Sequence, residues 1–263
     1  MSNAYICVVA VKLTFLGTGT SQGVPLIGCP CHVCQSKDPK DKRLRSSVLI
    51  EHNDSVFVID TGPDFRQQML RENVKKLDAV IFTHEHNDHI VGLDDVRAFN
   101  FIQKKHMDIY ATTRVQEAIH RIFPYIFSDD KYPGIPKLEL HTIFDEPFKI
   151  KGTTFIPINV LHYKMPVKAF RVGNITYITD ANFIAEEEKE KIRGSEIIIV
   201  NALRKEEHIS HFTFDQAIAL MEELKPKKAY FTHISHQLGL HEEIKNQLPD
   251  WIEPAFDGLV VSA

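Results

Sequence analysis

Thr83-His84-Glu85-His86-Asn87-Asp88-His89 sets four potential metal ligands, His84, His86, Asp88 and His89, within six residues, directly after an apolar run at 77–82. That run is short and bounded by polar residues, and it reads as a buried β-strand. A strand sends alternate side chains to one side, so His84 and His86 can point together. A turn after them aims Asp88 and His89 at a neighbouring point. This geometry suits two cations rather than one. Imidazole nitrogens with carboxylate oxygens suit Zn(II), Mn(II) or Fe(II) and select none of them decisively. A solvated polar loop would account for a single histidine; four ligands at this spacing make metal binding the expectation.

Upstream, strand-like segments at 11–16, 47–51 and 56–60 open the chain as a β-meander, the last two joined by a hairpin turn at 52–55. A short helix is predicted over 63–73, where Pro63 comes early and Phe65, Met69 and Leu70 share a face. Downstream, helices at 96–104 and 113–123 flank a strand at 108–111, and Pro124, Pro133 and Pro136 mark a loop. Strands at 138–143, 148–151, 154–160, 168–172 and 175–179 follow, with Gly173-Asn174 as a hairpin turn. Helices at 186–192, 213–224 and 240–248 then alternate with strands at 197–200 and 229–232, and Asp257-Gly258 is predicted to close a terminal hairpin. His-Ile-Ser-His occurs at 208–211 and 233–236, too short a match for a structural repeat. Two similar halves without a linker predict an α/β fold of two sheets packed face to face with helices outside, a four-layer αββα sandwich. One domain over 1–263 is the expectation at this length.

The chain is 43% hydrophobic and 25% charged, with Lys+Arg 31 against Asp+Glu 35 and a net charge of -4. Those values exclude low-complexity disorder, and no apolar run is long enough for a membrane span. Slight acidity argues against broad capture of nucleic acid, which needs a basic footprint. The apolar run 5–11 lacks a basic segment before it and a small-residue cleavage pattern after it, so no signal peptide is expected. Histidines number 14 and cysteines 4, three of the latter within residues 29–34. Such clustering is unlike an extracellular disulfide framework and points to a reducing cytoplasm. Cys7, in a strand-like run, reads as core.

The H-x-H-x-D-H run resembles the signature of the metallo-β-lactamase superfamily. In that family the later ligands come singly from strand ends, and this chain offers His162, Asp180 and His233 after segments that read as strands. The resemblance implies one metal held by His84, His86 and His162, and a second by Asp88, His89 and His233, with Asp180 bridging. Asp60, ending Val56-Phe57-Val58-Ile59, matches the family's early Asp, which orients the ligands around it. Two cations about 3.5 to 4 Å apart can hold a bridging hydroxide and stabilise charge on the group it attacks, which makes phosphoester hydrolysis the natural reaction. By the same resemblance, the complete ligand set including Asp88 favours the phosphodiesterase branch over lactam hydrolysis.

Cys29, Cys31 and Cys34 have thiolate spacing for a structural zinc that needs a fourth ligand. His236, three residues beyond His233, is the candidate; His32 is nearer in sequence but would crowd the chelate. Leu16-Gly17-Thr18-Gly19-Thr20-Ser21-Gln22-Gly23-Val24-Pro25, the cysteine loop at about 28–35 and Thr232-His233-Ile234-Ser235-His236-Gln237 resemble PhnP-type phosphoribosyl cyclic phosphodiesterases over nearly the whole chain. That resemblance implies a Cys3His structural zinc, a dinuclear site often loaded with manganese, and a small cyclic phosphodiester as substrate; members of that family often dimerise. His211, before a helix capped by Thr213, resembles the histidine that related phosphodiesterases and transfer-RNA 3′ processing nucleases set opposite the attacking group. It would act as general acid or as hydrogen-bond donor to the phosphoryl group. Arg66, Lys164 and Arg204 lie near site loops in sequence, and no spacing specifies any of them for a phosphate. Two alternatives stand beside the phosphodiesterase: a transfer-RNA 3′ endonuclease, for which no basic substrate arm is evident, and a non-catalytic metal-binding accessory protein. The latter would be like the pyrroloquinoline quinone biosynthesis protein B, which is similar at the cysteine cluster.

Overall fold

Residues 10–129 and 132–263 are described by the computed structural model. Cys7 and most of the run 5–11 lie outside them. The first half of the chain supplies β1 (Lys12–Gly17), β2 (Ser47–His52), β3 (Ser55–Ile59), β4 (Ala79–Ile81), β5 (Met107–Ala111) and β6 (Leu138–Thr142). The second supplies β7 (Phe148–Ile150), β8 (Thr153–His162), β9 (Met165–Val172), β10 (Ile175–Tyr177), β11 (Ile197–Asn201), β12 (Lys228–Thr232) and β13 (Ile252–Pro254) before β14 (Val260–Ser262). They form two seven-stranded sheets, ordered β14-β1-β2-β3-β4-β5-β6 and β13-β12-β11-β10-β9-β8-β7.

Period-two alternation explains how both sheets are covered on both faces. In β3, Phe57 and Ile59 face the other sheet while Val58 joins the helix-side core; in β11, Ile197 and Ile199 face inward while Ile198 and Val200 pack outward. Strands buried on both faces read as continuous apolar runs, which is why Ala79-Val80-Ile81 and Ile197-Ile198-Ile199-Val200 show no polar alternation. The inter-sheet core is built around Phe15, Phe57, Phe155, Phe170 and Tyr177. Phe65, Phe99, Val115 and Ile119 cover the outside of the first sheet, and Phe214, Ala217, Leu220 and Met221 cover the second. The result is the αββα sandwich of the sequence reading. Among the described residues, no helix is long and apolar enough to cross a membrane.

Three local expectations are corrected, and first, Pro124 opens a short helix, Pro124–Phe127, rather than marking a loop. Asp257-Gly258 does not close a hairpin: β13 pairs parallel with β12, whereas β14 pairs antiparallel with β1, so this turn carries the chain from one sheet to the other. The Asp257 carboxylate fixes the crossing, accepting hydrogen bonds from Thr18 N (2.9 Å), Thr18 Oγ1 (2.7 Å) and Leu44 N (2.8 Å). The last predicted helix is also shorter, His241–Lys245 rather than 240–248. Gly173-Asn174 does join antiparallel β9 and β10, with Gly173 in the left-handed region where a side chain is unfavourable.

Parallel pairing sets the direction in which the loops leave. β3 and β4 run parallel, as do β10, β11 and β12. Asp60, Thr83, Asp180 and His233 therefore emerge beyond the carboxyl ends of neighbouring strands, the usual place for a ligand site in such sheets.

Candidate metal centre

Three of these strand-end residues, Asp60, Asp180 and His233, have φ of 67°, 52° and 54°. Left-handed backbone at non-glycine residues costs on the order of 1–3 kcal/mol each and persists only when the surroundings over-determine it. Here polar contacts do so. The Asn201 side chain accepts from Ala181 N (2.8 Å) and donates to Ala181 O (3.0 Å), pinning the residue after Asp180. The Asp60-Thr61-Gly62 turn is laced to the helix Asn87–Ile90 and its 3-10 continuation by Thr61 N to His89 O (2.7 Å) and Gly92 N to Thr61 O (2.8 Å). A Cβ on Gly62 would stand 2.1 Å from Asp88 O, so only glycine allows this approach.

Hydrogen bonds fix which imidazole nitrogens face the centre. Fully buried Asp60 accepts from Thr83 N (2.9 Å), Thr83 Oγ1 (2.8 Å) and His89 Nδ1 (2.7 Å). Because the Thr83 hydroxyl proton is committed to Asp60, its oxygen accepts from His84 Nδ1 (2.9 Å). One carboxylate thus sets the tautomers of two histidines, leaving Nε2 of each as a lone pair. His162 Nδ1 donates to Ser210 O (2.8 Å), freeing its Nε2 likewise. Ser46 Oγ donates to Gly19 O (2.9 Å) and lies 3.2 Å from His233 Nδ1, which also lies 3.1 Å from Asp180 Oδ1.

The freed donors converge on Asp180. Three groups of possible ligand atoms, His84 with His89, His86 with His162, and His211 with His233, each include Asp180 and lie within 4.8 Å of one another. His84 Nε2 and His86 Nδ1 are 3.1 Å apart. Asp88 joins through Oδ2, 3.2 Å from His89 Nε2, which is itself 3.4 Å from Asp180 Oδ1. That nitrogen is buried without a hydrogen-bond partner and faces two carboxylate oxygens. Burial opposes a charge on His89, yet Asp180, Asp88 and Asp60 raise its pKa well above the usual imidazole range. A cation among these acceptors meets the same electrostatic need, so the donor set fits divalent metal ions.

His211 stands beside this cluster, its ring 4.7 Å from that of His233 and 4.5 Å from that of His162. Burial, and then His233, push its pKa down to about 2, so it is a neutral imidazole near pH 7, with Nδ1 buried and unpartnered. His208 only braces the same loop, its Nδ1 accepting from Ser210 N (3.4 Å). A cleft of about 510 Å³ opens onto His86, Asp88, His162, Asp180, His211 and His233, and Ser21 and Arg121 also line it.

Of the basic residues adjacent in sequence, Lys164 lines a recess together with His86 and His162, whereas the other two do not reach the site. Arg66 lines a separate groove between helices, and Arg204 is bound to Gln237 Oε1 (3.1 Å) and Glu207 O (2.9 Å). Arg121, in the last turn of the helix Thr113–Ile122, reaches the cleft instead. No motif marks it, because an arginine on an exposed helical face is commonplace. Ser46, Thr83 and Asn201 are equally silent in sequence, although Asn201 does end an otherwise apolar strand.

At the second cluster, Cys29, Cys31, Cys34 and His236 offer ligand atoms within 4.8 Å of one another, compatible with one tetrahedral ion. His236 Nδ1 lies 3.3 Å from Cys31 Sγ and 3.5 Å from Cys29 Sγ. His32 turns away, its Nε2 3.9 Å from Glu243. The hydrogen bond with His236 lowers the Cys31 thiol to about 6, whereas burial pushes Cys34 up to about 11.

An αββα sandwich with His and Asp side chains gathered at its strand ends defines a metal-binding hydrolase class. A Beta-lactamase superfamily domain matches residues 56–234. The solved structure of a new diphosphatase from the PhnP family is 42% identical, with 97% of each chain covered and a TM-score of 0.91. The chain belongs to the metallo-β-lactamase superfamily and is a PhnP-like hydrolase within it. An octanoyltransferase of Porphyromonas gingivalis is 38% identical over 252 residues, 95% of this chain and 51% of its own length. A ribonuclease Z of Methanococcus maripaludis is 25% identical over 127 residues, covering 47% of this chain and 36% of its own. The chain thus spans about half or less of the length of these curated relatives.

Proposed function

We propose that this hydrolase cleaves a small phosphodiester, with a cyclic phosphate as the form implied by its PhnP-like character. The convergence of the donor groups on Asp180, beside His211 and at the floor of an open cleft, carries the proposal. His84, His86 and His162 would hold one divalent ion and Asp88, His89 and His233 a second, with Asp180 shared. Manganese or zinc bound there would supply Lewis acidity and a nucleophile ionised near neutral pH. Asp60 orients His89 directly and His84 through Thr83, and Arg121 draws the anionic substrate inward. Neutral His211 donates a hydrogen bond to a phosphoryl oxygen. Ligands from both sheets support one domain over 1–263, and the thiols of the 28–35 loop support a reducing, cytoplasmic setting.

Turnover of ribose cyclic phosphate and of bis(p-nitrophenyl) phosphate with Mn(II) is the test. Inactivity on both, with metal analysis showing loaded sites, overturns the reading. The ribonuclease Z relatives favour a second reading, a transfer-RNA 3′ endonuclease. A net charge of -4 opposes it, and cleavage of precursor transfer RNA at physiological salt would establish it.

Two variants probe the supporting residues. Asp60→Asn should weaken active-site metal affinity by about 10- to 100-fold, measured by competition with a chelating dye, because two histidines lose their orienting carboxylate. Cys34→Ser should remove one zinc per chain and lower the melting temperature by roughly 5–10 °C while active-site metal persists. An unchanged zinc content would exclude the cysteine cluster as a zinc site.

A further inference from the structure

Tyr177, the last residue of β10, carries a polar atom that neither the packing nor the proposed reaction uses. Its side chain is fully buried in the inter-sheet core, where Phe15, Phe57, Phe155 and Phe170 serve without a hydroxyl. The Tyr177 Oη has no hydrogen-bond partner. An unpaired buried hydroxyl destabilises a fold, and phenylalanine would fill nearly the same volume without that cost. Positions that break a local rule in this way are characteristically functional.

The surroundings indicate which function. Ile178 packs on the helix side of the sheet, so Tyr177 and Thr179 share the side that faces the other sheet. Thr179 is fully buried, and its Oγ1 donates to Asp180 Oδ1 (2.6 Å). That carboxylate oxygen also lies 3.4 Å from His89 Nε2 and 3.1 Å from His233 Nδ1. With the threonine proton committed to Asp180, the Thr179 oxygen is left as an acceptor. Burial, and after it the Asp60 carboxylate, push the Tyr177 pKa up, with Asp180 adding to the shift and Thr179 near enough to act on it, so the phenol keeps its proton and remains a donor. The order of donor, threonine and carboxylate repeats, on the second sheet, the chain from His84 through Thr83 to Asp60 on the first.

We propose that Tyr177 is a positioning residue for the metal-loaded centre, its O–H donating to Thr179 Oγ1 and so holding the threonine proton on Asp180. The inference rests on the reading of Asp180 as the ligand shared by two ions. A cation that draws charge from the carboxylate weakens it as an acceptor for Thr179. A donor behind the threonine polarises that hydroxyl and offsets the loss, because hydrogen bonds in a chain strengthen one another where the dielectric is low. Asp180 Oδ1 is thereby kept in place while the ions load, although the phenol touches no reacting atom.

Tyr177→Phe separates this role from packing, because the two predict opposite signs. The melting temperature without active-site metal should rise by roughly 2–6 °C, since an unpaired buried hydroxyl is removed. Mn(II) affinity at the centre, measured by competition with a chelating dye, should nevertheless fall about tenfold. Thr179→Val should weaken Mn(II) by at least as much, and Thr179→Ser should keep native affinity. Adding Tyr177→Phe to Thr179→Val should cost nothing further, because the route from the phenol to Asp180 is already cut. Native Mn(II) affinity in Tyr177→Phe, losses that multiply in the double variant, or a lowered melting temperature in Tyr177→Phe overturns the proposal while leaving the two-ion reading intact. A native chain that takes up no Mn(II) at the centre removes that reading and this inference with it.

Discussion

Asp180→Asn should lower phosphodiesterase turnover by on the order of 10³-fold or more, equivalent to about 4 kcal/mol of lost transition-state stabilisation. It should also reduce active-site metal from two ions per chain to one or none, measured by elemental analysis after dialysis. Asp180 belongs to all three donor groups at the centre, so its loss affects both proposed ions at once, unlike loss of His86 or His233. The substitution preserves shape and removes a charge. That matters because His84, His89 and His233 approach this carboxylate at 3.8, 3.4 and 3.1 Å. The backbone should survive, because Asn201 grips Ala181 independently of the Asp180 charge. Full metal content with full activity would show that Asp180 is no shared ligand and would remove the two-ion assignment.

What the sequence made legible follows from how far each physical signal reaches. The H-x-H-x-D-H run and the apolar strands before His84, Asp180 and His233 are local, and their spacing carries the geometry. Orientation is not local: Asp60 acts on His84 through Thr83, and the Ser46 hydroxyl meets His233 across 187 positions of chain. Serine and threonine serve turns and caps everywhere, so their types gave no warning. The terminal turn failed for a related reason. Asp257-Gly258 has hairpin composition, but strand partners are chosen by long-range pairing, and the flanking strands belong to different sheets. Among cations, closeness in sequence held for Lys164, which lines a recess with His86 and His162, but not for Arg66 and Arg204, which leave their loops toward other surfaces while Arg121 arrives from a distant helix.

His211→Ala should reduce kcat by about 10²- to 10³-fold, with a similar loss for p-nitrophenyl and alkyl leaving groups. The uniformity separates the two roles open to this histidine. A general acid matters most when the leaving oxygen is basic, so its removal would spare p-nitrophenolate and penalise a ribose alkoxide. A hydrogen-bond donor to a non-bridging phosphoryl oxygen acts on charge that develops whatever departs. The environment favours the donor: burial and His233 hold the imidazole neutral near pH 7, with one N–H to offer and no proton to spare. Because the pKa is lowered to about 2, the neutral form persists as pH rises from weakly acidic through neutral, and His211 should add no inflection to the pH–rate profile there. Metal content should stay at the native level in the variant, since the two-ion assignment uses His233 and not His211, although the two share a group of possible ligand atoms with Asp180. A loss that grows with leaving-group pKa, together with an alkaline limb in the native profile that the variant lacks, would instead assign His211 as the proton donor.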